Sequence, residues 1–221
     1  MLNGKPIVLK LSDSRITGLR VYRQHFKDQL GLAERTTECG DFGFDFYICD
    51  FSSKAPGKYK LDRNDKDILK DHRIYLYRDG IWVYPYGEPD DDWLKIDQYR
   101  GTIAAGDFLS NDQVVGVVGI SHKHNPQLQD KTNREGLIEK GSASDDFIAL
   151  LQCLLGYLRT HPYKHYRQGL EDKKTHDSIR TKKVEDGFDE LQIAIEKEKK
   201  TAALSQLKSL KESYETERDF L

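Results

Sequence analysis

The stretch "RIYLYRDGIWVYPYG", residues 73–87, constrains the chain more than any other. Asp79-Gly80 is one of the few residue pairs that readily supplies the two positive φ angles of a two-residue hairpin turn. Strands closing on that turn place Tyr77 opposite Trp82 and Leu76 opposite Val83. One face is then aliphatic (Ile74, Leu76, Val83) and the other aromatic (Tyr75, Tyr77, Trp82, Tyr84). The aliphatic face belongs against helices. The aromatic face, with its hydroxyls, suits a partly wet surface such as a domain contact, or packs ring on ring across the strands.

Other segments supply partners for this hairpin. "VVGVVGIS", residues 114–121, is apolar at nearly every position and predicts a central strand buried on both sides. Its glycines, Gly116 and Gly119, do not make a dinucleotide fingerprint, because no G-x-G-x-x-G opens a helix after it. "DFGFDFYICDFS" alternates Phe42, Phe44, Phe46 and Ile48 with smaller or polar residues, the period of a half-buried strand. "PIVLKLS", near the start, reads as a short strand, while "ITGLRVYRQHFKDQLG" fits no single period. "SASDDFIALLQCLLGYLRTH" reads as a helix capped by Ser142 or Ser144, with Asp145 and Asp146 at its positive end and Phe147, Leu151, Leu154 and Leu158 as its stripe. In the polar connection "EPDDDWLKIDQYRG", Trp93 and Leu94 are the expected anchors.

The chain has 221 residues, 37% hydrophobic and 33% charged, enough for one core and an appended helix. Lys plus Arg total 35 against 37 Asp plus Glu, so no global charge excess points to nucleic acid or to an acidic tail. The three cysteines, Cys39, Cys49 and Cys153, lack zinc or disulfide spacing, and the latter two lie in apolar runs as core thiols. With no run of 18 apolar residues and no cleavable-signal pattern, a soluble, cytoplasmic setting is expected.

No P-loop, G-x-S-x-G or H-E-x-x-H occurs. His161 and His165 stand four apart, as metal ligands on a helix can, but Pro162 lies between them and no carboxylate ligand is implied, so a solvated helix end is the favoured reading. Asp90, Asp91 and Asp92 suit either magnesium or an exposed acidic loop. From Thr160 to Lys183 seven basic residues face three acids, a pattern open to a basic linker, a solvated helical segment or a phosphate-tracking surface. Beyond it Val184, Phe188, Leu191 and Ile195, then Ala203, Leu207, Leu210, Tyr214 and Leu221 after a shift in phase, predict an amphipathic helix and a possible coiled coil.

The order of a glycine-containing strand, the polar run "NPQLQDKTN" and then "REGL" resembles the transducer (second) domain of GHKL-type ATPases. The likeness is to heat-shock-chaperone-like, gyrase-like and microrchidia-like members, and "YLYRDGIWVYPYGEPDDDWLKID" is similar to their matching hairpin and tryptophan-leucine segment. It covers about residues 41–160. It implies an α/β (α+β) fold, a mixed sheet with helices on one face, akin to a ribosomal-protein-like transducer fold with a left-handed crossover. Such a domain lends a neighbouring nucleotide-binding domain one basic residue that touches the terminal phosphate of ATP. By motif that residue is Arg134, flanked by Asn133 and Glu135, with Lys131 as the second candidate.

With the resemblance marking 41–160 as a transducer-like domain, the chain is expected to divide into a lead-in strand and helix (1–40), that domain (41–160), a basic linker (161–183) and the amphipathic helix (184–221). The glutamate and asparagine that bind water and magnesium in such ATPases are not found, nor is an Asp-x-Gly-x-Gly lid. ATP and Mg²⁺ are therefore expected in a parent protein only, with no metal site and no hydrolysis in this chain alone. The expected partners are that nucleotide-binding domain and a second copy joined through the C-terminal helix, with no membrane. Two rivals stay open: a scaffold or dimerisation protein without ATP coupling, and a nucleic-acid-binding module using the basic stretch.

Overall fold

The computed structural model describes residues 8–27, 37–53, 55–102, 109–131, 135–138, 141–197 and 201–219. Two compact units divide the chain, Met1–Tyr166 and Arg167–Leu221. The first is a mixed α/β unit. Its four-stranded sheet has the order β1 (Gly43–Ile48), β4 (Val114–Ile120), β2 (Ile74–Arg78), β3 (Ile81–Trp82). β1 runs antiparallel to β4, β2 parallel to β4, and β3 antiparallel to β2.

The hairpin forms as its turn chemistry requires. Asp79 and Gly80 hold φ angles of 49° and 81°, and Tyr77 pairs with Trp82. The register then sorts the side chains. Ile74, Leu76 and Arg78 share a face with Val114, Gly116, Val118 and Ile120, and with Phe46 and Ile48 of β1. The aliphatic members of this set on β2 and β4 are buried, as is Val83. Burying a side chain of this size stabilises the fold by about 1.5–3 kcal/mol. Gly116 is needed because a Cβ there would lie 2.4 Å from the Asp45 carbonyl oxygen, so no larger residue lets β1 approach.

The opposite face stays partly open, which corrects the expectation that β4 is buried on both sides. Val117 is 43% exposed, and Tyr47, Trp82 and Tyr84 are exposed with it. An unbroken apolar run states that both faces are apolar, not that both are covered. The aromatic face of the hairpin is this open one, with Trp82 against Tyr75 at 5.9 Å and Tyr84 at 5.6 Å between ring centroids.

Helix α5 (Ser142–Leu158) covers the closed face with Phe147, Leu151 and Leu155. Its other side packs Ala149, Cys153 and Tyr157 against two short helices, α1 (Ser14–Thr17) and α2 (Arg20–His25), through Ile16, Val21 and Tyr22. α5 is thus buried on two sides, whereas a single stripe including Leu154 and Leu158 was expected; those two are only half-buried. Neither Ser142 nor Ser144 is its N-cap. That position is Gly141, at φ 112°, while Ser142 donates its hydroxyl to Glu38 and Ser144 is buried in the first turn.

Residues 8–12 form no strand. The segment that fitted no period folds as α1 and α2, too short to stand alone and held by packing on α5. Two further helices, α3 (Arg63–Lys70) and α4 (Ile96–Thr102), lie in the connections on either side of the hairpin. Asp92 starts α4: its two carboxylate oxygens accept the Ile96 and Asp97 amides at 2.6 and 2.9 Å, and burial raises its pKa. Trp93 donates its indole N–H to the Ile74 carbonyl at 2.8 Å, and Leu94 is buried, so both anchor as expected. All three cysteines are free thiols; burial pushes Cys39 up to about 11 and Cys153 up to about 12.

After a π turn at Arg159–Tyr163, α6 (Lys164–Lys197) and α7 (Thr201–Asp219) form the helical extension. Residues 171–180 of α6 are all exposed, so this part of the basic stretch is solvated helix. In the second unit Phe188 meets Tyr214 and Asp189 pairs with Lys211 at 2.8 Å, an antiparallel pairing that buries Leu207. The phase shift in the apolar pattern falls where α6 gives way to α7, so 184–221 is not one uninterrupted helix. No described helix is long and apolar enough to cross a membrane.

Candidate functional site

Because β2 and β4 run parallel, both end at the same edge of the sheet, and the segment carrying the predicted site residues leaves from that edge. In open sheets with parallel strands, the space beyond the carboxyl ends is where ligands are most often held. Here the two connections are tied together at once: the Asp79 amide donates to the Ile120 carbonyl at 2.9 Å.

Residues 121–128 form a pinned turn. The Asn125 side chain is fully buried, accepts the Ser121 amide at 3.0 Å and donates to the carbonyls of Cys39 and Asp41 at 2.7 and 3.0 Å. A buried amide with all these bonds made holds its backbone partners in one geometry. Leu128 then drops into the core.

The chain next makes a narrow stem. Asp130 bridges Leu137 in antiparallel fashion, the Lys131 amide donates to the Gly136 carbonyl at 2.9 Å, and the Ile138 amide donates to the Gln129 carbonyl at 2.8 Å. Leu137 is buried and its amide donates to the Tyr86 hydroxyl at 3.0 Å. Gly136 sits at φ 91°, and a Cβ there would lie 3.1 Å from the Tyr86 hydroxyl and 3.6 Å from Lys131 Nζ. Only glycine suits both the backbone angle and the space. Behind Leu137 lies a cavity of about 170 Å³ walled by Tyr86, Trp93 and Phe147, with Lys95, Ser144 and Asp145 also lining it.

Of the residues singled out by sequence, Lys131 stands exposed at the first position beyond the stem and Glu135 exposed near its return. Arg134 and Asn133 lie outside the described residues. Asp90, Asp91 and Asp92 do not act as one cluster: Asp92 caps α4 and Asp91 accepts the Gly87 amide at 3.3 Å. Among the described residues no group of three or more His, Cys, Asp or Glu side chains is placed to hold a metal.

Sequence reasoning missed the residues that support the loop. Asn125 was hidden in a polar run, and Tyr86, beyond the aromatic face of the hairpin, drew no reading. Arg78 is the clearest omission: alternation from Ile74 and Leu76 puts it on the inward face, where a lone arginine needs a partner. It is 4% exposed, donates to the Leu128 carbonyl at 2.8 Å and places Nε 3.1 Å from Asp130 Oδ1.

No protein-family model matches the chain, and neither a curated protein nor a solved structure matches it.

Proposed function

We propose that this chain is the transducer region of a GHKL-type ATPase. In this reading the 131–136 loop reaches a nucleotide-binding domain outside these residues and answers the terminal phosphate of ATP through Arg134, with Lys131 as the second cation. The observation that carries the reading is the stem: an excursion of six residues bearing basic side chains is closed at its base by the two backbone hydrogen bonds of the Asp130–Leu137 bridge and by the Tyr86 hydroxyl. Loops used for surface variation alone do not call for such a base; a cation that must meet a phosphate at fixed range does. Phosphoryl transfer depends mostly on position and charge, and a guanidinium offers a planar fork to the phosphate oxygens.

ATP and Mg²⁺ belong to the nucleotide-binding domain in this account, and the chain alone turns over no ATP. Phosphate contact at the loop pulls on Asp130 and Leu137, hence on β4 and α5, and α5 leads through the π turn into the helical extension. That extension joins a second copy of the chain. Leu207 is occupied within its own hairpin, whereas Leu210 is 60% exposed and Leu191 is exposed with it. Leu191→Glu with Leu210→Glu should therefore leave a folded monomer by sedimentation, and a dimer that persists would place the contact elsewhere.

The test is chemical. An ATP analogue carrying an amine-reactive acyl group on its terminal phosphate should acylate Lys131 when this chain is joined to its nucleotide-binding domain, and excess ATP should suppress the labelling. Labelling confined to lysines outside the loop would overturn the reading.

A further inference from the structure

The loop has a second support, unlike the stem, and it is ionic. Arg78 ends β2 facing inward, is almost fully buried, and meets one carboxylate, that of Asp130, the residue from which the loop departs. The other oxygen of Asp130 lies 4.0 Å from His122 Nε2. The opposite ring nitrogen of His122 is hydrogen-bonded to Asp79, whose carboxylate also accepts the His122 amide at 3.2 Å. Four side chains thus run from the hairpin turn, through an exposed imidazole and the loop's first carboxylate, to a guanidinium under the sheet edge.

A buried guanidinium left without its carboxylate is strongly disfavoured, so Asp130 is held where Arg78 places it. Arg78 has a further bond that a simple ion pair does not need. Its Nη2 donates to the Leu128 carbonyl, so one planar group fixes residues 128 and 130 together and sets the direction in which residue 131 leaves. We propose that Arg78 is the positioning residue of the cation loop, with Asp130 as its partner and the Asp79–His122 pair as an outer clamp that makes the hairpin turn and the loop move as one body. The inference rests on the loop being the phosphate-contacting element, and it adds the residue that decides the direction in which Lys131 leaves the sheet edge.

A merely structural ion pair and a positioning device respond differently to the same replacement. Arg78 is buried and Asp130 is partly exposed; exchanging such a pair for apolar side chains of similar volume removes the cost of desolvating the guanidinium and commonly keeps stability. Arg78→Met with Asp130→Leu in this chain should therefore melt near the wild-type temperature. Its Lys131 and Ile138 amides, however, should exchange with deuterium about tenfold faster or more, while the β4 amides keep their wild-type protection. Should the double variant not fold, Asp130→Asn, which keeps the shape and removes the charge, should raise exchange at the same two amides about threefold. Wild-type exchange at Lys131 and Ile138 in a folded variant would overturn the proposal. The assay contains no nucleotide, so failure of ATP sensing and failure of Arg78 to position the loop give separate results.

Discussion

The closed face of the sheet and its carboxyl end are built from the same two strands, β2 and β4, by different chemistry. The closed face uses Ile74, Leu76, Val114 and Val118, whose interactions are non-directional and tolerate volume-conserving exchange. The end of the sheet uses Arg78, Asp130, His122, Asn125 and the Tyr86 hydroxyl, whose interactions depend on angle and charge. The first arrangement gives stability; the second gives position. Mutations along the length of a single strand should therefore separate melting temperature from loop order.

The largest effect should come from Leu76→Ala, which empties a fully buried site and should cost about 2–5 kcal/mol in urea unfolding, with loop protection lost only as the whole unit unfolds. Gly116→Ala follows at about 1–3 kcal/mol, because the new methyl meets the Asp45 carbonyl and the Phe46 ring and must push β1 away. Gly136→Ala should sharpen the contrast, costing about 1–3 kcal/mol from its positive φ yet disturbing the Lys131 amide far more than any β4 amide. On the open face Tyr84→Ala should change stability by no more than about 0.5 kcal/mol, since half its surface already meets water. The smallest effect concerns acid. Hydrogen bonds from the His122 side chain and amide hold the Asp79 carboxyl below its usual range. The ionised form therefore stabilises the fold above the unfolded value of about 3.9, and this contribution is lost as pH falls through the folded value. Wild type and Asp79→Asn should differ at neutral pH and converge as pH drops below that value.

The local features were legible because short-range chemistry decides them. Asp79-Gly80 dictates its own turn, and the aliphatic and aromatic faces of the hairpin follow from a period of two. What could not be read depends on layers. The run at 114–120 does not say that Val117 faces outward, since that depends on whether a second layer exists. Nor does the sequence of α5 say that Ala149 and Cys153 bury a second side, because the covering helices α1 and α2 are too short to announce themselves. Ser142 looked like a cap, but Gly141 at a positive φ takes that position and frees the hydroxyl for Glu38. That a polar loop follows β4 was legible, and its support was not. Arg78 and Asp130 are 52 positions apart, and only the parallel register of β2 on β4 brings them together.

Contact between the loop and the terminal phosphate of ATP is a proposal, and ATP turnover decides it when measured on this chain joined to the nucleotide-binding domain that the proposal requires. Arg134→Ala and Lys131→Ala should be measured side by side, with melting temperature as the control. Lys131 is exposed, and replacing an exposed cation changes stability by only about 0–1 kcal/mol, so melting of that variant should hardly move. At least one of the two variants should lose turnover, by as much as about 10³ where the cation acts on the transition state. Loss at Arg134 alone assigns the contact to the guanidinium, and loss at Lys131 alone to the amine. Full turnover in both variants, at unchanged melting temperature, would contradict it.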